Sequence, residues 1–434
     1  MKRPQHALAA TPSRQPRILI TNLLFSAAIF LVVCFRLYAL YSPTVMPDEL
    51  GYWSAGSFFS GHPWTDVMPL SPYYSYGYGF LLAPLFLLQS PVAMFRGAVV
   101  LNAALLVCAY FVAQKVAHLL FAHISIYFRQ LACFALSVYS YLVYNAQGTQ
   151  PDVAMVLVYW LLVWCLLAFV RTPTWGRASL LALIGTFLFI LHMRNLGVLI
   201  ALAMVLLLLA LAKKIPPKYA LLFGVLLAGL LCAATILKSY YSAQIWGSSD
   251  RLDINNTSSV FSSVLGIFSA EGLLTLCMNV LGRIFYLGCS TFFLFYWAVF
   301  VMLRDLWQAV RKKNLSAFHT VEFFLLLTML GEIGISCLFA IQPSRMDHIL
   351  YGRYHEQVLM PLLLFGLFRL RSLPRVKSFL PVGLLVHFSC SAALFHYINQ
   401  SVLINISYIT NIKKNLAKVG NGKYIEISRN RRAL

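Results

Sequence analysis

Acidic and charged residues are scarce in this sequence. Its 434 residues include 13 Asp and Glu against 34 Lys and Arg, and 60% of all residues are hydrophobic. A water-soluble domain of this size could not bury so much apolar surface, and the apolar runs recur from residue 18 to residue 398. The scarcity of charge therefore excludes a soluble globular protein and indicates a polytopic membrane protein.

Paired cysteines and clustered histidines are absent as well. The nine cysteines stand singly in apolar segments, and the ten histidines show no metal-ligand spacing. These absences argue against a disulfide framework or a zinc site, and we predict no resident metal, although a divalent cation could bridge a carboxylate and a phosphate. The net charge of +21 is spread over many loops, which indicates contact with lipid head groups and not with nucleic acid.

The apolar segments predict an all-α transmembrane bundle of about eleven helices. The first, from Ile18 to Leu40, would rise about 34 Å and cross the bilayer. The segment 77–90 is short and contains Pro84, so we interpret it as an interfacial or re-entrant helix. The predicted helices are 18–40, 94–117, 127–145, 152–170, 178–193, 195–212, 219–237, 280–303, 319–341, 357–371 and 379–398.

Lys and Arg set the predicted topology, because short cytoplasmic loops carry them in excess. Residues 1–17 form a cytoplasmic N-terminus, residues 18–398 form the transmembrane domain, and 41–93, 238–279 and 342–356 are outer loops. The basic tail 399–434 then follows a helix that ends outside, so either a helix is miscounted or the tail lies along the membrane surface. The predicted cytoplasmic loops contain Arg171, Arg177, Lys213, Lys214, Lys218, Arg304, Arg311, Lys312, Lys313, Arg369, Arg371, Arg375 and Lys377.

The acids fall mostly on the outer side of this topology, although they contribute little to topology themselves. One-sided clustering of this kind would be explained by an extracytoplasmic active site, whereas any single loop acid is readily explained as a solvated charge. The outer acids are Asp48, Glu49, Asp66, Asp152, Asp250, Asp253, Glu271, Asp347 and Glu356, and the others are Asp305, Glu322, Glu332 and Glu426.

The adjacent pair Asp48 and Glu49 follows Pro47 at a predicted membrane exit, where the next helix can begin. Acids in a first helical turn interact favourably with the helix dipole, so a capping role competes with a catalytic one. The surrounding stretch RLYALYSPTVMPDELGYWSAG resembles the start of the first outer loop in GT-C type membrane glycosyltransferases. That superfamily includes protein O-mannosyltransferases and the aminoarabinose transferases that act on lipid A.

Three more stretches resemble the same superfamily. YNAQGTQPDVAMVLVYWLL is similar to its second outer loop, with Asp152 at the start of a helix, although QGTQPD is not a close copy. LHMRNLGVLIALAMVLLLL is similar to a short loop in which Arg194 precedes a long apolar helix, and SRMDHILYGRYHEQVLMPLLLFGL resembles a late outer loop. The resemblance covers roughly residues 18–370 in organisation, and it implies transfer of a hexose or pentose from a polyprenyl-phosphate carrier.

The resemblance also implies residue roles and a location. Asp48 is predicted to be the general base that takes the proton of an extracytoplasmic acceptor hydroxyl, in a reaction that inverts the anomeric configuration of the sugar. Glu49 and Asp152 are predicted as the other catalytic residues. The enzyme is expected in the bacterial plasma membrane, with its active site facing outward and a lipid, glycan or protein as acceptor. The predicted ligands of the donor phosphate are Arg353, Arg194, Tyr351, Tyr354 and His348. The second-choice candidates are Lys238, Arg283 and Arg345.

Two other classes of function remain open from the sequence. Glu332 is predicted inside an apolar helix, where it should face the bundle interior and be protonated or paired, and such residues are typical of secondary transporters and lipid-linked sugar flippases. A noncatalytic membrane subunit of cell-envelope assembly is the second alternative. Replacing Asp48 should leave the function of such a subunit largely intact.

Overall fold

The fold is all-α, as the sequence predicts. The computed structural model describes residues 15–42, 48–62, 75–88, 90–246, 265–339, 349–350, 352–370 and 373–400, and these contain no β-strand. Their fifteen helices, numbered in chain order, are α1 (Gln15–Cys34), α2 (Asp48–Phe59), α3 (Gly77–Leu82), α4 (Pro91–Leu120), α5 (Ile126–Ser137), α6 (Ser140–Ala146), α7 (Asp152–Arg171), α8 (Trp175–Leu191), α9 (Leu196–Leu211), α10 (Pro217–Trp246), α11 (Ala270–Ser290), α12 (Leu294–Arg311), α13 (Ala317–Phe339), α14 (Glu356–Arg369) and α15 (Leu373–Gln400).

Eight helices of the described chain are long and apolar enough to cross a membrane, or up to nine if the bent pair α5 and α6 forms one span. The eight are α1, α4, α7, α9, α10, α11, α13 and α15. Helices α8 and α14 have only 17 and 14 residues. The chain is therefore a multi-pass membrane protein, but the predicted count of eleven spans is not confirmed.

The short segment before α4 matches its interpretation as a helix that does not span. It consists of α3 and a 3-10 turn over Ala83–Leu88, which together are too short to cross the hydrocarbon core. Gly77 packs so tightly that a Cβ there would lie 2.5 Å from the carbonyl oxygen of Ile190. This contact fixes the start of α3 against the end of α8.

The predicted helix 127–145 is a bent pair. Helix α5 ends at Ser137, α6 begins at Ser140, and the two axes differ by 55°. Tyr139 has the extended conformation φ −55° and ψ 133°, which interrupts the helix between them. At this interruption, the Tyr139 hydroxyl donates to the carbonyl oxygen of Ser290 and the Tyr141 hydroxyl donates to that of Arg353.

The prediction of one helix over 280–303 is wrong, because α11 ends at Ser290 and α12 begins at Leu294. Phe292 and Phe293 have φ values of 50° and 65°, which no α-helix can contain. The hydroxyl of Thr291 compensates at the break, since it donates to the carbonyl oxygen of Leu287 at 2.6 Å and accepts from a backbone N–H at 3.0 Å. The predicted outer loop 238–279 is also helical at both ends, in α10 and α11.

Helix α15 lies beside both pieces of the broken helix. His387 stacks on Phe285 of α11 with ring centroids 4.7 Å apart, whereas Phe379 contacts Trp297 of α12 with ring centroids 5.6 Å apart. His387 also contacts Phe293 at the break, with ring centroids 5.0 Å apart, so α15 packs against both pieces.

Basic loops meet at one end of the bundle, which we call the basic end. Arg171 donates to the carbonyl oxygen of Leu119 at 2.8 Å, and the ring of Phe121 contacts Phe318. The guanidinium of Arg369 lies over that same Phe318 ring, 5.2 Å from its centroid. The ends of α4, α7 and α14 and the start of α13 are thereby joined, as the charge pattern predicts.

The opposite end, which we call the carboxylate end, carries Asp48, Glu49, Asp152 and Glu356, four of the five outer acids among the described residues; the fifth, Glu271, is exposed at the start of α11. Helix α7 runs from Asp152 to Arg171, and 20 helical residues span about 30 Å. The two ends are thus separated by about one membrane thickness. Asp66, Asp250, Asp253, Asp347, Glu426 and the tail from residue 401 lie outside the described residues.

Candidate active site

Asp152 is the centre of the carboxylate end, and its side chain is completely buried. Its Oδ1 accepts from Nη2 of Arg194 at 2.7 Å, and its Oδ2 accepts from Nη2 of Arg353 at 3.1 Å. The hydroxyl of Tyr141 lies 2.9 Å from Oδ1 and 3.0 Å from the carbonyl oxygen of Arg353. One carboxylate therefore anchors two guanidinium groups from separate segments, which satisfies the pairing that buried charges require.

Arg353 lies between two carboxylates. Besides its contact with Asp152, its Nη1 is 3.7 Å from Oδ2 of Asp48. Asp48 begins α2, and 30% of its side chain is exposed, against 15% for Arg353 and none for Asp152. The sequence correctly predicts that helices begin at Asp48 and Asp152, and the fold brings these two starts together. Asp48 is the more accessible carboxylate of the pair.

Two guanidinium groups face the ring of Tyr354. The guanidinium carbon of Arg194 lies 5.6 Å from the ring centroid, and that of Arg283 lies 5.8 Å from it. Arg283, from α11, is completely buried. The sequence ranks Arg283 below Arg194 as a phosphate ligand, but both lie against the Tyr354 ring. The Nε–H of Arg194 is also buried, and no hydrogen-bond acceptor for it is found in the described chain. Arg194 and Arg283 therefore bring two cations to the same aromatic ring.

Glu49 is fully buried and ties α2 to the loop before α7. Its Oε2 accepts from the backbone N–H of Thr149 at 2.6 Å and from the Thr149 hydroxyl. Trp53 donates from its indole N–H to the same hydroxyl at 2.9 Å. Because Thr149 is three residues before Asp152, this network holds the first turn of α2 beside the anchored arginines.

Residues that the sequence does not single out hold the segment around Arg353. Glu356 is buried and its Oε1 accepts from the Tyr286 hydroxyl at 2.7 Å, with the Tyr139 hydroxyl 3.5 Å away. Gln357 donates from Nε2 to the carbonyl oxygen of Tyr354 at 2.9 Å and to Glu332 at 3.0 Å. The prediction that Glu332 faces the bundle interior is therefore confirmed, and its partner is Gln357.

Two further titratable groups near the site are held neutral. Burial lowers the pKa of His355 well below its usual value, and the Arg283 and Arg194 guanidinium groups lower it further. Burial raises the pKa of the Tyr52 hydroxyl far above its usual value, and the nearby Arg353 offsets part of this effect. His355 is therefore uncharged and Tyr52 is protonated at neutral pH. Neither group is suited to serve as a base.

The remaining predicted ligands are placed only in part. Tyr351, His348 and Arg345 lie outside the described residues. Lys238 belongs to α10, and its Nζ lies 3.5 Å from the sulfur of Met193, next to Arg194 in the chain. In the described part of the chain, no three His, Cys, Asp or Glu side chains are grouped so that they could hold a metal ion.

The chain is similar to solved structures of ArnT from Cupriavidus metallidurans, one bound to undecaprenyl phosphate and one in the apo state. Both matches have 14% sequence identity and a TM-score of 0.46, and they cover 80% and 81% of this chain. They cover only 60% and 61% of the ArnT chains, so this chain spans less than two thirds of their length.

A scan of protein-family profiles found no match to the chain, and neither did a search of curated proteins. At the level of identity and TM-score found for ArnT, the likeness concerns the arrangement of helices. It assigns neither a substrate nor a reaction to this chain.

Proposed function

We propose that the protein is a membrane glycosyltransferase that moves a sugar from a polyprenyl-phosphate carrier to an acceptor hydroxyl. The observation that carries this proposal is the position of Arg353, whose guanidinium contacts the buried Asp152 at 3.1 Å and lies 3.7 Å from the accessible Asp48. A carboxylate that can take a proton thus lies next to a fixed cation that can bind a phosphate. Sugar transfer from a lipid phosphate requires both groups.

Asp48 is the general base of the proposed reaction. Its carboxylate takes the proton of the acceptor hydroxyl while the acceptor oxygen forms a bond to the anomeric carbon. The bond between that carbon and the phosphate oxygen breaks at the same time, and the phosphate leaves with the electron pair. A single displacement of this kind inverts the anomeric configuration.

The arginines stabilise the departing phosphate. A guanidinium has five N–H donors, and the contact of Arg194 with Asp152 uses only its Nη2. The buried Nε–H of Arg194 supports a phosphate ligand, since a buried donor without an acceptor costs about 1–3 kcal/mol. Fixed cations in a site that excludes water stabilise the charge that develops on the leaving group. Asp152 positions these cations, and Glu49 positions Asp48.

The proposal places the carboxylate end outside the bacterial inner membrane and the basic end in the cytoplasm. The basic loops support this orientation, because Lys and Arg favour the cytoplasmic side. The acceptor is a lipid, glycan or protein hydroxyl on the outer side. If a divalent cation takes part, Asp48 would hold it and it would stabilise the charge of the donor phosphate; loss of transfer in EDTA with recovery in Mg²⁺ or Mn²⁺ would show this.

The proposal is tested by sugar transfer from radiolabelled polyprenyl-phosphate sugars in membranes that contain the protein. Asp48→Asn should lower transfer by about 10²- to 10⁴-fold, which is the usual contribution of a general base. Glu271→Gln is the matched control, because Glu271 is an exposed acid at the start of α11 and makes no contribution to the proposed site. Equal transfer by native protein and Asp48→Asn would refute the role of Asp48.

A transporter or flippase of lipid-linked sugars is the second candidate, and the observation that favours it is Glu332. This acid is buried within α13, where an ionised carboxylate costs about 3 kcal/mol on insertion scales. Proton-coupled transport would require Glu332 to change its protonation state. Uptake or flipping of a lipid-linked sugar, with no transfer to any acceptor, would favour this candidate over the glycosyltransferase.

A further inference from the structure

A second cluster of charged side chains lies at the basic end, about 30 Å from Asp152 along α7. It surrounds an open cavity of about 330 Å³ between α12, the start of α13 and the end of α14. The polar residues that line this cavity are Arg304, Asp305, Gln308, Lys312, Asn314, His319 and Arg369. Its volume is within the range of sites that bind small molecules.

The charge of the cavity is positive. Asp305 accepts from Arg304 at 2.6 Å and pairs with Arg369 at 2.8 Å, so these two guanidinium groups are held side by side by one carboxylate. Lys312 adds a third cation, and the buried Glu322 lies 3.8 Å from Arg369 at the inner edge. The three cations exceed the two carboxylates even when both acids are ionised. An anion would therefore be attracted to this cavity.

His319 adds a neutral donor to the lining. The backbone N–H of Ser316 donates to Nδ1 of His319 at 3.1 Å. A neutral ring that accepts at Nδ1 carries its proton on Nε2, so the cavity lining includes an imidazole N–H. Guanidinium, ammonium and imidazole N–H groups together match the several acceptor oxygens of a phosphate group.

The surroundings of the cavity indicate that the phosphate belongs to a lipid. Three exposed apolar residues of α12 are each one position removed from a residue that lines the cavity: Leu303 from Arg304, Trp307 from Gln308 and Val310 from Ala309. Exposed apolar residues on a membrane protein face the acyl chains, and Trp is enriched at the membrane interface. A phospholipid could therefore place its phosphate in the cavity while its acyl chains lie along the apolar side of α12.

We propose that this cavity binds the phosphate of an anionic phospholipid. The site is independent of the proposed glycosyltransferase, because it lies at the other end of the bundle and uses different residues. Its occupant would join α12 to the start of α13 and the end of α14, which the ion pairs of Asp305 and Arg369 already connect.

The test uses the purified full chain in detergent, with lipid binding followed by native mass spectrometry and by the shift in Tm. Phosphatidylglycerol should bind more tightly than phosphatidylcholine and should raise Tm. Lys312→Gln should weaken phosphatidylglycerol binding about fivefold, which corresponds to one basic residue next to an anionic lipid. Lys312 is exposed at the end of α12, so this variant should keep the native Tm when no lipid is added.

Lys313→Gln is the matched control, since Lys313 is the next residue, is equally exposed and does not line the cavity. It should leave phosphatidylglycerol binding unchanged. Equal weakening by the two variants, or equal binding of the two lipids, would overturn the assignment of the cavity. An equal Tm shift with inorganic phosphate alone would overturn the lipid as its occupant.

Discussion

Asp152→Asn should separate the anchoring role of Asp152 from the catalytic role of Asp48. The substitution keeps the size of the side chain but removes the charge that pairs with Arg194 at 2.7 Å and Arg353 at 3.1 Å. The amide keeps one acceptor oxygen, so one guanidinium loses its partner while both remain close together. Removing one member of a buried ion pair usually destabilises a protein by about 3–5 kcal/mol.

This loss can be expressed as a change in Tm. An unfolding entropy of about 2.1 cal/mol/K per residue over 434 residues converts it to a Tm lower by about 3–5 °C. Transfer should fall as well, by about 10²-fold, because displacement of a positioning group by about 1 Å is enough for such a loss. Asp48→Asn should instead keep a nearly native Tm, since Asp48 is partly exposed.

The assays are thermal unfolding in detergent and sugar transfer in membranes, both at matched protein levels. Leu166→Ala is the control, because Leu166 is buried in α7 about 21 Å from Asp152 and its truncation destabilises by about 2–5 kcal/mol without touching the site. It should lower Tm while transfer at permissive temperature persists. Asp152→Asn with native Tm and native transfer would refute the anchoring role.

The remaining predictions use the same two assays. Glu49→Gln should lower transfer about tenfold with a stability loss of about 1–3 kcal/mol, since a charged acceptor of buried hydrogen bonds becomes neutral; native transfer would contradict its positioning role. Gly352→Ala should lower both Tm and transfer, because the added Cβ would overlap the Tyr286 ring, whereas Gly176→Ala, which meets nothing within 4 Å, should change neither. Glu332→Gln should retain transfer within about threefold, because the amide oxygen can still accept from Gln357, and abolished transfer would contradict this expectation.

Local signals in the sequence were sufficient to predict where the site helices begin. Pro47 before Asp48 and Pro151 before Asp152 each mark a helix start, and both starts are found. The separation of basic loops from acids was equally predictable, because it follows from charge and hydropathy alone. Arg194, Arg353 and Tyr354 were nominated from short motifs, and the fold brings all three to the same end.

Other parts of the site could not be predicted, because they depend on pairing between distant residues. Tyr141 lies in an apolar run without any local mark of its contacts with Asp152 and with the Arg353 carbonyl. The breaks after α5 and α11 were missed since hydropathy is continuous across them. At Thr291 the side-chain hydroxyl replaces lost backbone hydrogen bonds, and a lone Thr in an apolar segment gives no sign of this.

The junction at Asp152 determines how this protein can be recombined with a relative. Its carboxylate joins residues that are 11, 42 and 201 positions away in the chain. A chimera that exchanges only the segment around Arg353 would combine a foreign loop with the native Asp152 and Tyr141. The contacts that these two residues make with the native loop would then be lost. The segments that contain Tyr141, Asp152, Arg194 and Arg353 are therefore one unit of exchange, although they are spread over about half of the sequence.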